Sequence, residues 1–330
     1  MSQFHPFGQL FDQHPWLYSV VVSNDFTREE HRMLAQRAIS VLTACLIVYL
    51  CLFNNAYAQE NKRKVSVQPL RVLITNDNGI DDPKILALAK AFSHQADVWV
   101  VAPDRDQSGV GAKLTFFQTG ELKAKRREIA PGIKAWSVSG TPGDCVVFAG
   151  AILMSENPPD LVVSGINGGA NMGTDWMYSG TIGAARVAAF GGIPAIALSG
   201  LDDRIAGAVD AAAEWAVRLA HSEIVKTLEP GDYITVSLPT IAPSKIRGIR
   251  IVDRAPGLPR PQFKKSDDST WRLVGLEYSD VEIPKHSDRG VCKDGFIAVV
   301  PMRLDEIDRK KLEKWGKQNK QCPPWNTNNE

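Results

Sequence analysis

The sequence predicts an α/β protein in which a mostly parallel β-sheet is covered by helices on both faces. Short continuous apolar runs alternate with segments of helical periodicity, which is typical of buried parallel strands and their connecting helices. The chain has 330 residues, 44% of them hydrophobic and 23% charged, which is enough apolar material for a large core. This composition excludes disordered, collagen-like and disulfide-scaffold proteins. The net charge of +1 gives no cationic surface that would indicate a nucleic-acid partner.

Residues 1–58 are predicted to be an N-terminal extension that carries a secretory signal peptide. Ala38–Phe53 contains 16 residues without a charge and follows Arg37, but a membrane-spanning helix needs roughly 20 residues. The small residues of Ala56-Tyr57-Ala58 fit the cleavage pattern of a signal peptidase. We therefore expect cleavage after Ala58, export to the periplasm or the exterior, and no stable membrane association afterwards. A retained anchor and a translation start at Met33 stay open as alternatives.

The remaining chain is predicted to comprise a linker at 59–70, one domain at 71–318 and a flexible tail at 319–330. Buried strands are predicted at Val72–Thr75, Val98–Val101, Leu161–Val163 and Pro194–Leu198. Helices are predicted from Pro83 onward, over Thr181–Phe190 and over Ala206–Ala220. The first of these begins at Asp82-Pro83, an N-cap residue followed by proline at the first helical position.

The region 246–301 has a different character from the rest of the domain. Proline, glycine and charged clusters separate short strand-like runs there, as in Arg254-Ala255-Pro256-Gly257. We expect this region to form an extended hairpin or arm that serves in oligomerisation.

Three predicted strands end in loops of the same chemistry. These loops are Asn76-Asp77-Asn78-Gly79, Asp104–Gly109 and Ser164–Gly169, and each is rich in Asp, Asn, Ser or Gly. Because the carboxyl ends of parallel strands lie on one edge of the sheet, we expect the loops to converge on one crevice. Their oxygen donors suit a hard cation such as Mg²⁺ or Mn²⁺. Ordinary turn chemistry is the alternative explanation for any one loop, but the coincidence of three favours a site.

The sequence lacks the signature motifs of several enzyme classes. The chain contains no G-x-x-x-x-G-K-[ST], G-x-S-x-G or G-x-G-x-x-G motif, which weighs against P-loop NTPases, α/β-hydrolases and dinucleotide-binding oxidoreductases. Beyond Ala58 only His94, His221 and His286 remain, and there is no C-x-x-C, so the chain offers few of the ligands that a zinc site needs. A phosphate cradle is better supplied, because Ser179-Gly180-Thr181 opens a predicted helix.

The loops resemble those of the SurE family of 5′/3′-nucleotidases, also called survival proteins or stationary-phase acid phosphatases. The resemblance runs in order from Arg71 to about Met302. It is carried by Ile74–Gly79, Val101–Gly109, Gly140–Val146, Asp160–Asn171, Tyr178–Thr181 and Pro194–Ser199. It implies a Rossmann-like three-layer sandwich with a C-terminal β-hairpin arm, assembled as a homodimer or tetramer. It also implies hydrolysis of nucleoside 5′/3′-monophosphates or other phosphomonoesters with one Mg²⁺ or Mn²⁺ per subunit.

The resemblance also assigns roles to individual residues. The implied metal ligands are Asp77, Asn78, Ser108 and Asn167, and the residues implied to surround the phosphate are Asn171, Ser179, Gly180 and Thr181. We further predict that Asp77 is the catalytic residue that orients or deprotonates the attacking water, and that Asn76, Gly109 and Lys113 contribute to phosphate or substrate binding.

Three positions depart from the family pattern. Asn78 stands in place of a second acidic metal ligand, Lys113 in place of a small polar residue, and Arg186-Val187-Ala188 lacks a family glutamate. The change at Asn78 keeps an alternative open, namely an exported nucleotide- or phosphate-binding protein with weakened catalysis. A general acid phosphatase or exopolyphosphatase is a further alternative within the same class. A nucleotide-sugar transferase is disfavoured because no second acceptor domain is evident.

Overall fold

A nine-stranded, mostly parallel sheet runs through the computed structural model, which describes residues 69–257, 259–278 and 282–316. The predicted signal peptide and the predicted tail lie outside the described residues. Among the described residues, no helix has both the length and the apolar character needed to cross a membrane.

The strands of the described chain are β1 Leu70–Thr75, β2 Ala96–Pro103, β3 Ala124–Arg127, β4 Lys134–Val138, β5 Leu161–Asn167, β6 Ala195–Ser199, β7 Asp232–Ser237, β8 Ile249–Ile251, β9 Pro259–Lys265, β10 Trp271–Tyr278 and β11 Ile297–Arg303. Their order in the nine-stranded sheet is β3-β4-β2-β1-β5-β6-β7-β11-β8. The six strands from β4 to β7 in this order are mutually parallel, whereas β3 is antiparallel to β4, and β11 is antiparallel to β7. The predicted fold class is confirmed.

The helices occupy both faces of the sheet. Their bounds are α1 Pro83–Ser93, α2 Phe116–Thr119, α3 Pro142–Phe148, α4 Gly180–Phe190, α5 Ala208–Ala220, α6 Glu223–Lys226, α7 Asp288–Lys293 and α8 Arg309–Gly316. The three predicted helices correspond to α1, α4 and α5. A π-helical turn at Ala149–Leu153 extends α3, and short 3₁₀ turns occur at Asp175–Met177 and Pro243–Lys245.

Two hydrophobic clusters give the three layers. Because side chains alternate along a strand, Val72 and Ile74 of β1 join a cluster with α1 and α5, while Leu73 joins a second cluster with α3 and α4. Ile74 and Leu73 are both fully buried, on opposite faces of the same strand. The central strands are therefore apolar on both faces, which explains the continuous runs in the sequence.

The helices begin where side chains satisfy their first amides. Asp82 caps α1 by accepting a hydrogen bond from the Lys84 N–H at 2.8 Å, as the Asp-Pro pair predicts. Ser179 caps α4 by accepting from the Ile182 N–H at 3.1 Å.

The region 246–301 divides between the sheet and a hairpin. Ile249–Ile251 and Ile297–Arg303 belong to the main sheet as β8 and β11, so the hairpin consists of β9 and β10 alone and is shorter than the predicted arm. The reason is that Ile297–Val300 is a buried apolar run that pairs with β7. Large apolar side chains of the hairpin are exposed, at Phe263, Trp271, Leu273, Val274 and Leu276.

Candidate active site

The loops that follow β1 and β2 are joined directly at the carboxyl edge of the sheet. The Gln107 N–H donates to the carbonyl oxygen of Asp77 at 2.7 Å, and the Ile80 N–H donates to that of Pro103 at 2.8 Å. The loop after β5 lies beside them, because β5 is the other neighbour of β1 in the sheet. The edge thus brings together the three polar loops that the sequence predicts.

Asp77 joins these loops to the N-terminus of α4. Its Oδ1 accepts from the Thr181 hydroxyl at 2.8 Å, and its Oδ2 accepts from the Thr181 N–H at 3.1 Å. A helix N-terminus carries partial positive charge, which stabilises the carboxylate. The approach is so close that a Cβ at Gly180 would lie 2.8 Å from the Asp77 Cβ and 3.0 Å from its Oδ2. Glycine is therefore required at this position by sterics.

Burial sets the proton affinity of Asp77. Desolvation raises the pKa of this carboxyl, the hydrogen bonds from Thr181 oppose the rise, and the negative charge of Asp106 adds to it. The net direction is upward from the ordinary aspartate value. The carboxylate is consequently a stronger base than one exposed to solvent.

Asn78 presents a buried acceptor atom to which no described residue donates. Its Oδ1 is without a hydrogen-bond partner in this part of the chain, and such burial is costly unless a positive group approaches the oxygen. A divalent cation fits this requirement, since amide and carboxylate oxygens are ligands of hard cations. The described residues contain no group of three or more His, Cys, Asp or Glu side chains placed to hold a metal. Any metal here depends on amide and hydroxyl oxygens beside Asp77.

Ser108, the third predicted ligand, lies in the second loop, whereas Asn167, the fourth, is the last residue of β5, which extends through Ser164–Asn167 of the predicted loop. The Ser108 hydroxyl donates to Oδ1 of Asp106 at 2.7 Å, and Ser108 is exposed. The Asn167 Nδ2 donates to the carbonyl oxygen of Gly169 at 2.8 Å, which leaves its Oδ1 as the group that can coordinate a cation. In the part of the chain that is described, neither side chain hydrogen-bonds to Asp77. The shared sheet edge is what brings them to the same site.

Most of the predicted phosphate-binding side chains are engaged within the protein. Asn76 closes its loop by accepting from the Gly79 N–H and donating to the Gly79 carbonyl, both at 3.0 Å. Asn171 donates to the Ser199 hydroxyl at 2.8 Å. Gly109 and Lys113 are exposed, and the Lys113 carbonyl oxygen accepts from the Thr141 hydroxyl. Asn76 and Asn171 therefore shape the site, while Lys113 is accessible to a ligand.

The N-terminus of α4 is already occupied by a carboxylate. The amides of Thr181, Ile182 and Gly183 donate to Asp77, to the Ser179 hydroxyl and to the Ser179 carbonyl, respectively. The helix end thus holds Asp77 in place instead of offering these three amides to an anion. The Ser179 hydroxyl still carries a proton that it can donate outward, because its oxygen acts as the acceptor in the cap.

The structure adds residues that the sequence did not single out. Asp106 accepts hydrogen bonds from Ser108. The signal that could have identified it is an acidic residue two positions before a predicted metal ligand. Asp288 and Arg289 anchor the segment that precedes Ser179. They lie more than a hundred positions further along the chain, so no local pattern could have revealed them. Asp144 forms a capping box with Thr141 at the start of α3.

The fold and this edge define a doubly wound α/β protein with an oxygen-donor site at the ends of its strands. The family model described as "Survival protein SurE" matches residues 72–257. The 5′-nucleotidase SurE of Heliobacterium modesticaldum is 35% identical over 240 residues, covering 72% of this chain and 87% of the relative. The 5′-nucleotidase SurE of Gloeobacter violaceus is 36% identical over 242 residues, covering 72% of this chain and 90% of that relative. The chain belongs to the SurE family.

A solved structure supports the same assignment. The crystal structure of the SurE protein from Aquifex aeolicus is similar with a TM-score of 0.64 at 30% sequence identity. The match covers 76% of this chain and 99% of the other.

Proposed function

We propose that this protein is a metal-dependent phosphomonoesterase that hydrolyses nucleoside 5′/3′-monophosphates to nucleoside and phosphate. The observation that carries the proposal is a buried carboxylate, Asp77, that Thr181 fixes in place and that is followed by Asn78, whose buried amide oxygen meets no donor among the described residues. Relatives that bear the name 5′-nucleotidase SurE support the substrate class.

Asp77, Asn78, Ser108 and Asn167 would hold one Mg²⁺ or Mn²⁺ through their oxygens. A divalent cation bound there supplies a Lewis acid that polarises a phosphoryl oxygen and lowers the pKa of water. Asp77 anchors this ligand set because its position is fixed by two hydrogen bonds from Thr181. This set of ligands contains one carboxylate, so we expect it to bind the cation more weakly than a site with two carboxylates would.

The side chains around the cation site have distinct tasks in hydrolysis. Each oxygen of Asp77 keeps a lone pair beyond its bond to Thr181, so the carboxylate can orient a water molecule and accept its proton. As the water oxygen bonds to phosphorus, the bond to the nucleoside oxygen breaks. The Ser179 hydroxyl can donate to a phosphoryl oxygen as charge develops there.

A second function is favoured by one specific residue. Asn78 removes a negative charge from the ligand set, which is consistent with an exported nucleotide- or phosphate-binding protein that has little turnover. General phosphatase and exopolyphosphatase activities are the alternatives within the enzyme class.

The test is phosphate release by the purified protein. The substrates are 5′- and 3′-nucleoside monophosphates, polyphosphate and an aryl phosphate, each assayed with Mg²⁺, with Mn²⁺ and with chelator. We expect metal-dependent release that is fastest from nucleoside monophosphates. Folded protein that binds nucleotide without releasing phosphate would favour the binding-protein alternative, and release unaffected by chelator would contradict metal dependence.

A further inference from the structure

We propose that Asp106 is a positioning residue of the cation site, which orients the Ser108 hydroxyl and supplies the negative charge that Asn78 lacks. The inference rests on the proposed function, because it assigns a role toward the same divalent cation. Asp106 lies outside the four implied ligands.

The first argument is the geometry of Asp106 and Ser108. One carboxylate oxygen, Oδ1 of Asp106, accepts from the Ser108 N–H at 2.8 Å and from the Ser108 hydroxyl at 2.7 Å. A hydroxyl group has a single proton and two lone pairs. Because the proton is directed to Asp106, the lone pairs face away from that carboxylate and are available to a cation. A ligand whose proton is held by a carboxylate is also a better electron donor.

The second argument is the rigidity of the connection to Asp77. Gln107, the residue between Asp106 and Ser108, donates its N–H to the carbonyl oxygen of Asp77 at 2.7 Å. The short segment 106–108 is therefore tied to the loop that carries the anchoring carboxylate.

The third argument is charge balance. Asn78 contributes an uncharged oxygen, so Asp77 would be the sole anion among the four implied ligands. A carboxylate adjacent to the ligand set restores a second negative charge without occupying the Asn78 position. Two negative charges neutralise a divalent cation, which increases its affinity over a site with one.

The experiment measures the affinity of the full chain for Mn²⁺, by titration calorimetry and by the loss of the free-ion electron paramagnetic resonance signal. The variants are Asp106→Asn, which keeps an acceptor oxygen but removes the charge, and Asp106→Ala, which removes both. Asp104→Asn is the matched control, because it removes an exposed negative charge two residues away in the same loop. Thermal unfolding verifies that each variant is folded.

We expect Asp106→Asn to weaken Mn²⁺ binding by about tenfold, with a further loss for Asp106→Ala, because residues that orient metal ligands typically matter by about 10- to 100-fold. Asp104→Asn is expected to change the affinity by less than about twofold. Asn78→Asp introduced into Asp106→Asn should restore the affinity toward that of the unmodified protein, since it returns the missing charge. Asn78→Asp alone is the reference: the Asp106→Asn change should weaken Mn²⁺ binding less in the Asn78→Asp background than in the unmodified protein, whereas a merely structural role would weaken it by the same factor in both.

Equal affinities of Asp106→Asn and Asp104→Asn would overturn the charge role, and equal affinities of Asp106→Asn and Asp106→Ala would overturn the role of the hydrogen bond to Ser108. If the unmodified protein binds Mn²⁺ and the Asp106 variants bind it equally well, this inference fails while the metal site stands. If the unmodified protein binds no Mn²⁺, the metal dependence in the proposed function fails together with this inference.

Discussion

Asp77 is the residue at which backbone, helix and loop contacts meet. Its carbonyl oxygen accepts from Gln107, and its carboxylate accepts twice from Thr181. The side chain is 3% exposed, so desolvation acts on it and raises its pKa. A carboxylate held this firmly has little conformational freedom to lose when it binds a cation or orients a water molecule.

Asp77→Asn should remove most turnover and leave the fold intact. Asparagine has nearly the same shape and still offers one acceptor to Thr181, but it has no charge and cannot accept the proton of water. We expect a loss in kcat of at least about a hundredfold. Steady-state phosphate release measures it, with Asp81→Asn as the control, since Asp81 is an exposed partner of Arg127. Wild-type turnover in Asp77→Asn would contradict the assignment of Asp77.

Gly180→Ala should disturb the site by steric contact alone. The added Cβ would lie 2.8 Å from the Asp77 Cβ, closer than real Cβ atoms approach, and 3.2 Å from the Gln107 carbonyl oxygen, a tight contact. We expect activity to fall by about tenfold or more, because misplacement by about 1 Å at a catalytic group has large effects. Gly150→Ala is the control, as a Cβ there meets nothing within 4 Å. Equal kcat/KM values in the two variants would show that the contact is tolerated.

At the scale of elements, the segment that leads into α4 is held by direct contacts with residues that lie far from it in the sequence. Oδ2 of Asp288 accepts from the Gly173 N–H at 2.6 Å, and its Oδ1 accepts from the Ala255 N–H at 2.8 Å. Arg289 pairs with the buried Asp175 at 3.6 Å. Asp175 also accepts from the Tyr178 hydroxyl, although burial raises the pKa of its carboxyl overall. These contacts join α7 and the base of the hairpin to the segment that positions Ser179 and Gly180.

Asp288→Ala should destabilise the protein. The substitution leaves the buried amides of Gly173 and Ala255 without their acceptor, and each such loss costs about 1–3 kcal/mol. Chemical denaturation should therefore show a lower free energy of unfolding, whereas Asp294→Ala, an exposed aspartate on the same segment, should change it little. The prediction is wrong if the two variants unfold at the same denaturant concentration.

At the scale of the molecule, the hairpin exposes apolar side chains that its own fold does not cover. Trp271 is 60% exposed, Leu273 57% and Val274 62%, all on β10, one of the two strands of a separate sheet. Exposed apolar clusters of this kind mark contact surfaces. We therefore propose that the hairpin carries the assembly of a homodimer or tetramer.

Leu273→Asp should shift the protein toward the monomer, because a charge would have to be buried in the contact. Light scattering coupled to size-exclusion chromatography measures the mass. Ile152→Asp is the control, since Ile152 is 64% exposed on a different element. An unchanged mass for Leu273→Asp beside an oligomeric parent protein would exclude Leu273 from the interface.

The N-terminal extension gives a prediction about location. The apolar stretch Ala38–Phe53 is shorter than a spanning helix and is followed by small residues up to Ala58. We propose that the protein is exported and that the mature chain begins at Gln59. N-terminal sequencing of exported protein from a bacterial host should identify Gln59, and an intact mass that includes Ala38–Phe53 would contradict cleavage.

The sequence alone determined the layered α/β architecture, and it predicted the edge of the sheet at which the polar loops lie. Apolar runs such as Val72–Thr75 predict buried strands because both faces of a central strand contact helices, and Asp82-Pro83 predicts the start of α1 because capping is local. The polar loops at strand ends predict a shared edge because parallel strands point the same way. Periodicity, capping and turn chemistry act over a few residues, so they can be read from the chain.

The tertiary structure alone decided how distant segments meet. It placed Ile249–Ile251 and Ile297–Arg303 in the main sheet, showed that Asp77 occupies the N-terminus of α4, and brought Asp288 to Gly173. A strand pattern does not specify which neighbour will pair with it, and a carboxylate does not specify which amide it will accept from. Such contacts depend on the packing of the whole chain, since they join residues that lie between 48 positions (Ile249 and Ile297) and 115 positions (Gly173 and Asp288) apart.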